Sequence, residues 1–208
     1  MVYQQEQAIH QKPDTKKRPM ADDILQEKLF RLLCSIRQAD QTEFADFYEL
    51  TVNRIFGLVY RILGNHSDSE EVVCEVFTQI WQQSDKYCPS RGSVMGWSLL
   101  IARSRALDLY RKRRTHDDII WDAKEHLENF SEGGNEPDKI VQLFQESNET
   151  LTAIRRLSSV QRQLLSLAFF KGLTHSEISA ALDMPLGSVK SHIRRAIVAL
   201  QSIINIEQ

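Results

Sequence analysis

Between Ser188 and Arg195 the chain reads Ser-Val-Lys-Ser-His-Ile-Arg-Arg. If Ile193 and Ile197 face inward on a helix, Lys190, Ser191, Arg194 and Arg195 project outward on adjacent turns. An outward guanidinium can give two hydrogen bonds to a guanine edge, worth about 1–3 kcal/mol of base discrimination. Ser188 and Lys190 suit phosphates, which position a duplex without specifying its sequence. A second cationic set lies upstream, where Arg103, Arg105, Arg111, Lys112, Arg113 and Arg114 stand against the single acid Asp108 between Leu99 and Arg114. That density suits a single or double strand, with Trp97 and Tyr110 as stacking surfaces, although the spacing of Trp97 favours burial. Both sets also admit a plainer account, in which each is the solvated face of a helix.

Other chemistries have little support. There is no phosphate-cradling glycine loop and no Ser/His/Asp or Cys/His set spaced for catalysis, so no enzyme is expected. Cys34, Cys74 and Cys88 fit neither a zinc knuckle nor a disulfide framework. His175 and His192 lack a Cys, Asp or Glu neighbour at ligand spacing, so no metal or cofactor is expected. The first twenty residues hold Lys16-Lys17-Arg18 and no apolar segment, so neither a secretory signal nor membrane insertion is expected.

The elements that must position these cations are helices. The 208 residues include only 8 Gly and 5 Pro, too few turn residues for a sandwich or barrel. Charge falls in blocks: ten acids and two lysines fill residues 115–150, and seven basic residues against Glu177 and Asp183 fill residues 151–200. Two cationic stretches divided by an acidic one suggest two polyanion-facing surfaces and a linker that avoids polyanions. Apolar spacing predicts a first stripe from Ile24 to Ile36 and a second from Phe44 to Ile62 that includes Tyr48 and Tyr60. Ser67-Asp68-Ser69-Glu70 predicts a capping box opening a third helix. Cys88 to Ser93 predicts a loop, followed by a fourth helix with Trp97, Leu100, Ile101 and Leu107 inward. Periodicity fails from Thr115 to Asp138 and resumes near Ile140. Ser131 to Pro137 reads as a linker, with Gly133-Gly134 as its hinge. The expected fold is all-α: two small helical domains at 23–114 and 149–208, an acidic linker at 115–148 and a flexible tail at 1–22.

The last fifty residues are the most specific. Gln161 to Phe170 is amphipathic and Gly172 suits its C-terminus. Thr174-His175-Ser176-Glu177 is a capping box for a short helix, Asp183 to Gly187 a turn, and Ser188 the expected cap of a last, cationic helix. Two helices joined by a tight turn, the second cationic where it begins, make a helix-turn-helix.

Taken together, these stretches resemble the sigma-70 family of transcription initiation factors, in its extracytoplasmic-function (ECF) group. Asp68 to Phe77 with Trp81 is similar to the family's polymerase-docking helix, Gly96 to Asp108 to its promoter −10 segment, and Gly172 to Ser179 with Pro185 to Ser191 to its −35 unit. The resemblance spans roughly residues 24–204. It implies docking on the clamp helices of the beta-prime subunit of core RNA polymerase through Glu70, Glu71, Glu75, Gln79 and Trp81. It also implies −10 contacts from Arg91, Gly92, Arg103, Ser104, Arg105 and Arg111, with a base extruded into a pocket beside Tyr87 to Val94. Ser104 stands where the family usually has Asn. Ser188, Lys190, Ser191, Arg194 and Arg195 would meet the −35 element of promoter DNA. An anti-sigma partner would wedge between the two units. A cytoplasmic, nucleoid-associated protein is implied, held at the membrane where its anti-sigma partner is membrane-bound. The rival from a different class is a stand-alone dimeric helix-turn-helix repressor, which would bind a palindrome without polymerase.

Overall fold

The computed structural model describes residues 21–37, 41–115, 118, 121 and 154–205, and among these every regular element is helical. The N-terminal unit comprises α1 (Ala21–Ile36), α2 (Gln41–Leu63), α3 (His66–Gln83) and α4 (Val94–Arg113). The C-terminal unit comprises α5 (Ser159–Phe170), α6 (His175–Leu182) and α7 (Leu186–Asn205). No described helix is long and apolar enough to cross a membrane.

In the first unit α2 and α4 share the centre. Phe47, Ile55, Leu58, Val59 and Ile62 of α2 are buried with Met95, Leu99, Ala102 and Ala106 of α4, and α1 adds Leu29, Leu32, Leu33 and Ile36. α3 closes the bundle through Val72, Val73, Val76, Phe77 and Ile80. Two short 3₁₀ turns, Ser84–Lys86 and Pro89–Arg91, carry the chain to α4. Ser93 caps α4 by accepting from the Gly96 amide at 3.0 Å.

Several sequence expectations are corrected here. The cap of α3 is Asn65, whose Oδ1 accepts from the Asp68 amide at 3.0 Å, because the helix starts earlier than a Ser67 cap would allow. Ile24, Tyr48 and Tyr60 are exposed, and Leu100 is 62% exposed, because the buried arc of each helix is narrower than its apolar stripe. α1 begins at Ala21, two residues inside the expected tail. Asp118 and Trp121 are helical although they lie in the expected linker. Thr115 and Asp118 exchange amide-to-side-chain bonds at 2.9 and 3.3 Å, a reciprocal cap that broken apolar periodicity conceals. Residues 1–20 and 122–153, with the rest of the tail and the Gly133-Gly134 hinge, lie outside the described residues.

In the second unit Leu164, Leu167, Phe170, Leu173, Ile178, Ala181, Val189 and Ile193 form the core. α5 opens on a full capping box between Ser158 and Gln161, and α6 on the expected one between Thr174 and Glu177. Gly172 takes φ +61° past the end of α5, and the Leu173 amide returns to the Leu167 carbonyl at 3.3 Å. The turn between α6 and α7 is shorter than expected. Asp183 adopts the left-handed conformation at φ 50°, Ser179 Oγ donates to the Met184 carbonyl at 2.6 Å, and Leu186 is already helical. Ser188 is therefore inside the first turn of α7, its amide donating to Pro185 O at 2.8 Å, and is not the cap.

Candidate nucleic-acid interface

α7 presents two faces. Val189, Ile193 and Ala196 are buried against α5 and α6, whereas Lys190, Ser191, Arg194 and Arg195 are exposed. Ile197 is 43% exposed, so Ala196 replaces it on the inner face. A helix steps 100° per residue, and Ala196 continues the arc of Val189 and Ile193 more closely than Ile197 does. Arg195 folds back along α7, with Nε donating to Ser191 O at 3.3 Å and Nη2 lying 3.4 Å from His192 Nδ1. Ser188 is half-buried. Together α6, the Asp183 turn and α7 form a helix-turn-helix whose leading cations face solvent.

A second feature lies at the N-terminus of α4. A cleft of about 570 Å³ is walled by the loop residues Lys86, Tyr87, Cys88, Arg91 and Gly92, by Trp97 and Leu100 of α4, and by Phe169 of α5. That volume is in the range of small-ligand pockets, about 300–1,000 Å³. Arg37, from the end of α1, fixes the loop by donating from Nε to Ser84 O at 2.9 Å and from Nη2 to Tyr87 O at 3.1 Å. Tyr87 is buried edge-on to Trp97, with ring centres 5.7 Å apart, and its hydroxyl donates to Gly92 O at 2.9 Å. Burial chiefly, with the neighbouring Cys88, raises the Tyr87 phenol above its ordinary range. Gly92 holds φ +139°, open to glycine and strained for other residues. The Cys88 thiol is drawn below its ordinary range, first by the Ser90 hydroxyl at 3.1 Å. Arg91 is exposed at the rim.

The α4 cations divide. Ser104 is exposed, and Arg105 is tied to α3, with Nε donating to Gln79 Oε1 at 2.7 Å and Nη1 lying 3.8 Å from Glu75 Oε2. The structure thus joins an expected −10 residue to two expected docking residues. Arg113 pairs with Asp68. Arg103 and Arg111 turn toward the C-terminal unit. Arg103 donates from Nε to Phe169 O at 2.8 Å and from Nη2 to Ala168 O at 2.9 Å, with its guanidinium 4.8 Å from the Phe169 ring centre. Burial lowers its pKa. Arg111 donates to Gly172 O and lies 3.5 Å from Glu177 Oε2.

On α3, Glu70 and Glu71 are exposed, with Glu70 Oε2 3.4 Å from His66 Nδ1. Trp81 is half-buried edge-on to Phe44 at 5.0 Å. Trp97 is half-buried in the cleft wall, whereas Tyr110 is buried beneath the Arg114 guanidinium. Cys34, Cys74 and Cys88 are free thiols, and the described residues contain no group of three or more His, Cys, Asp or Glu that could hold a metal. Sequence reasoning missed Lys86, which adjoins the loop, and also Phe169 and Arg37, since Phe169 reaches the cleft and Arg37 reaches the loop carbonyls only through tertiary packing.

A bundle with a loop-bounded cleft followed by a helix-turn-helix matches two family models in the same order. The description "Sigma-70 region 2" covers residues 47–116 and "Sigma-70, region 4" covers residues 147–200. The chain belongs to the sigma-70 family. Among curated relatives, "ECF RNA polymerase sigma factor SigK" of Mycobacterium bovis (strain BCG / Pasteur 1173P2) is 28% identical over 182 residues, covering 88% of this chain and 96% of the relative. The protein of the same name from Mycobacterium sp. (strain KMS) is 29% identical over 177 residues, covering 82% of this chain and 88% of that one. A solved complex of Rhodobacter sphaeroides SigE with the anti-sigma ChrR is 28% identical, covering 85% of this chain and 98% of that one at a TM-score of 0.46. This sigma factor is of the ECF group. It is a transcription initiation factor and not an enzyme, and the presence of both regions in one chain decides against the stand-alone repressor.

Proposed function

We propose that this sigma factor divides promoter reading between its two units while mounted on core RNA polymerase. α7 enters the major groove of the −35 element, with Arg194 and Arg195 toward base edges and Ser188, Lys190 and Ser191 toward the backbone. The cleft beside Tyr87 to Val94 receives a base extruded from the −10 element, and Arg91, Gly92, Ser104 and Arg105 line its approach with Arg103 and Arg111. Unstacking that base costs a few kcal/mol, recovered through pocket contacts. The exposed side of α3 around Glu70, Glu71 and Glu75, flanked by Gln79 and Trp81, docks on the polymerase clamp.

The observation that carries the assignment is the split of α7, in which Val189, Ile193 and Ala196 are buried and Lys190, Ser191, Arg194 and Arg195 are exposed. A helix on the far side of a domain could be equally cationic, but it would lack the preceding α6 and tight turn that lift this one into a groove. An anti-sigma partner controls access, as the SigE–ChrR complex illustrates for that protein, and holds the sigma factor at the membrane where the partner is itself anchored. Free of it, the protein works on the nucleoid.

Run-off transcription with core polymerase on genomic fragments tests the proposal. Initiation from discrete sites, lost when core polymerase is omitted, is the expected result. Tight binding to a palindrome without polymerase would overturn it.

A further inference from the structure

The cleft beside the Tyr87–Val94 loop is open, and its two sides differ in kind. On the loop side several acceptors are already engaged. Tyr87 O receives Arg37 at 3.1 Å, Cys88 O the Arg91 amide at 3.0 Å, and Gly92 O the Tyr87 hydroxyl at 2.9 Å. Ser93 Oγ, at the foot of α4, is taken by the Gly96 amide. The charged donors are not engaged. Lys86 and Arg91 line the same cleft, both are exposed, and among the described residues neither side chain makes a hydrogen bond or ion pair. Across from them α4 offers apolar surface: the half-buried Trp97 ring and Leu100, which solvent reaches over most of its surface.

We infer that this cleft selects thymine as the extruded −10 base, with Lys86 and Leu100 as specificity-determining residues. The inference rests on reading the cleft as the site of that base; Lys86 and Leu100 belong to none of the residue sets assigned above to promoter contact. Thymine carries two carbonyl oxygens, a methyl group and a single ring N–H. Its carbonyls match the free ammonium and guanidinium donors, and hydrogen bonds from a cation are stronger than neutral ones. Its methyl suits the uncovered Leu100, as apolar side chains suit that group in a groove. Adenine and cytosine each bring an exocyclic amine, and guanine an amine beside a ring N–H. Those donors would meet cations that are donors too, and carbonyls that already hold a hydrogen bond. A donor left without a partner costs more than one added hydrogen bond gains, so the choice is made largely by rejection. Trp97 offers a stacking face that every base can use, and it therefore holds the base without choosing it.

The test uses the full chain with core RNA polymerase and a DNA fragment that supports run-off transcription, randomised through its −10 element and barcoded in the transcribed region. Transcript counts should show one −10 position at which thymine is favoured about five- to 150-fold over each other base. Lys86→Ala should shrink that preference at that position alone. Deoxyuridine placed there on the non-template strand should lower initiation about fourfold, the worth of one buried methyl group. Leu100→Ala should erase the difference between the two pyrimidines. Both side chains are exposed, so neither variant opens the core. A position that responds to either variant yet favours adenine, cytosine or guanine overturns the selection and leaves the cleft's assignment standing. An equal loss over all four bases in Lys86→Ala also overturns it, since Lys86 would then hold a phosphate. Equal use of uracil and thymine by the unaltered chain removes the role of Leu100. Transcription with no −10 position answering to either variant would instead sink the assignment of the cleft itself.

Discussion

Gly172 and Leu107 meet so closely that a Cβ on the glycine would lie 2.6 Å from Leu107 Cδ2 and 2.9 Å from its Cδ1. One residue ends a helix of the C-terminal unit and the other sits on α4 of the N-terminal unit. Glycine suits the position through its φ of +61°, and a Cβ there would in addition oblige the Leu107 side chain to shift. Gly172→Ala should lower stability by roughly 1–2 kcal/mol from the left-handed backbone alone. A further contribution comes from the clash. Urea unfolding of Gly172→Ala, Leu107→Ala and the double variant separates the two, with an expected coupling of about 0.5–3 kcal/mol. Strict additivity would mean that the two residues do not touch in solution.

Arg37 positions the cleft from outside it. Its two hydrogen bonds to Ser84 O and Tyr87 O tie the loop to the end of α1. Arg37→Ala should weaken −10 use by several-fold and leave sensitivity to the −35 sequence unchanged. Transcription from promoters mutated separately in each element checks this, and an equal loss of discrimination at both would contradict the positioning role. Arg37→Lys should rescue poorly, because an ammonium does not reproduce the fork that reaches two carbonyls.

Arg195 lies on the opposite unit and should give the reciprocal pattern. Its substitution by Ala removes a candidate bidentate base contact worth about 1–3 kcal/mol, roughly five- to 150-fold in binding. The loss should fall on the upstream hexamer. Promoter profiling that showed the −10 element equally affected would reassign the residue.

Cys88 reports on the loop through its thiol. The Ser90 hydroxyl favours the thiolate, so Cys88 should react with iodoacetamide at a lower pH than the same thiol in the denatured chain. The sign follows from the thiolate being the nucleophile: a lowered pKa means more thiolate at any pH beneath the ordinary range. Ser90→Ala should move the pH midpoint of modification upward, measured by mass spectrometry of the Cys88 peptide. An unchanged midpoint would show that the Ser90 contact is not maintained.

Much of this protein is written locally. The Thr174–Glu177 capping box, Gly172 beyond α5 and the succession of helices follow from side chains acting on their own backbone within a turn, so short windows of sequence reveal them. The cationic face of α7 is legible for the same reason, since 100° per residue separates Lys190 and Arg194 from Val189 and Ile193. Where local signals compete, tertiary contacts chose between them. Asn65 displaced Ser67 as a cap, Ala196 displaced Ile197 from the inner face, and Leu100 stayed in solvent beside the cleft. The fate of the α4 cations was beyond any local rule. Arg105, Arg103 and Arg111 share one basic run, yet the first turns to α3 and the other two to the carbonyls of the C-terminal unit. Charge and helical period place a guanidinium on a face; only the fold determines which oxygens arrive there to meet it.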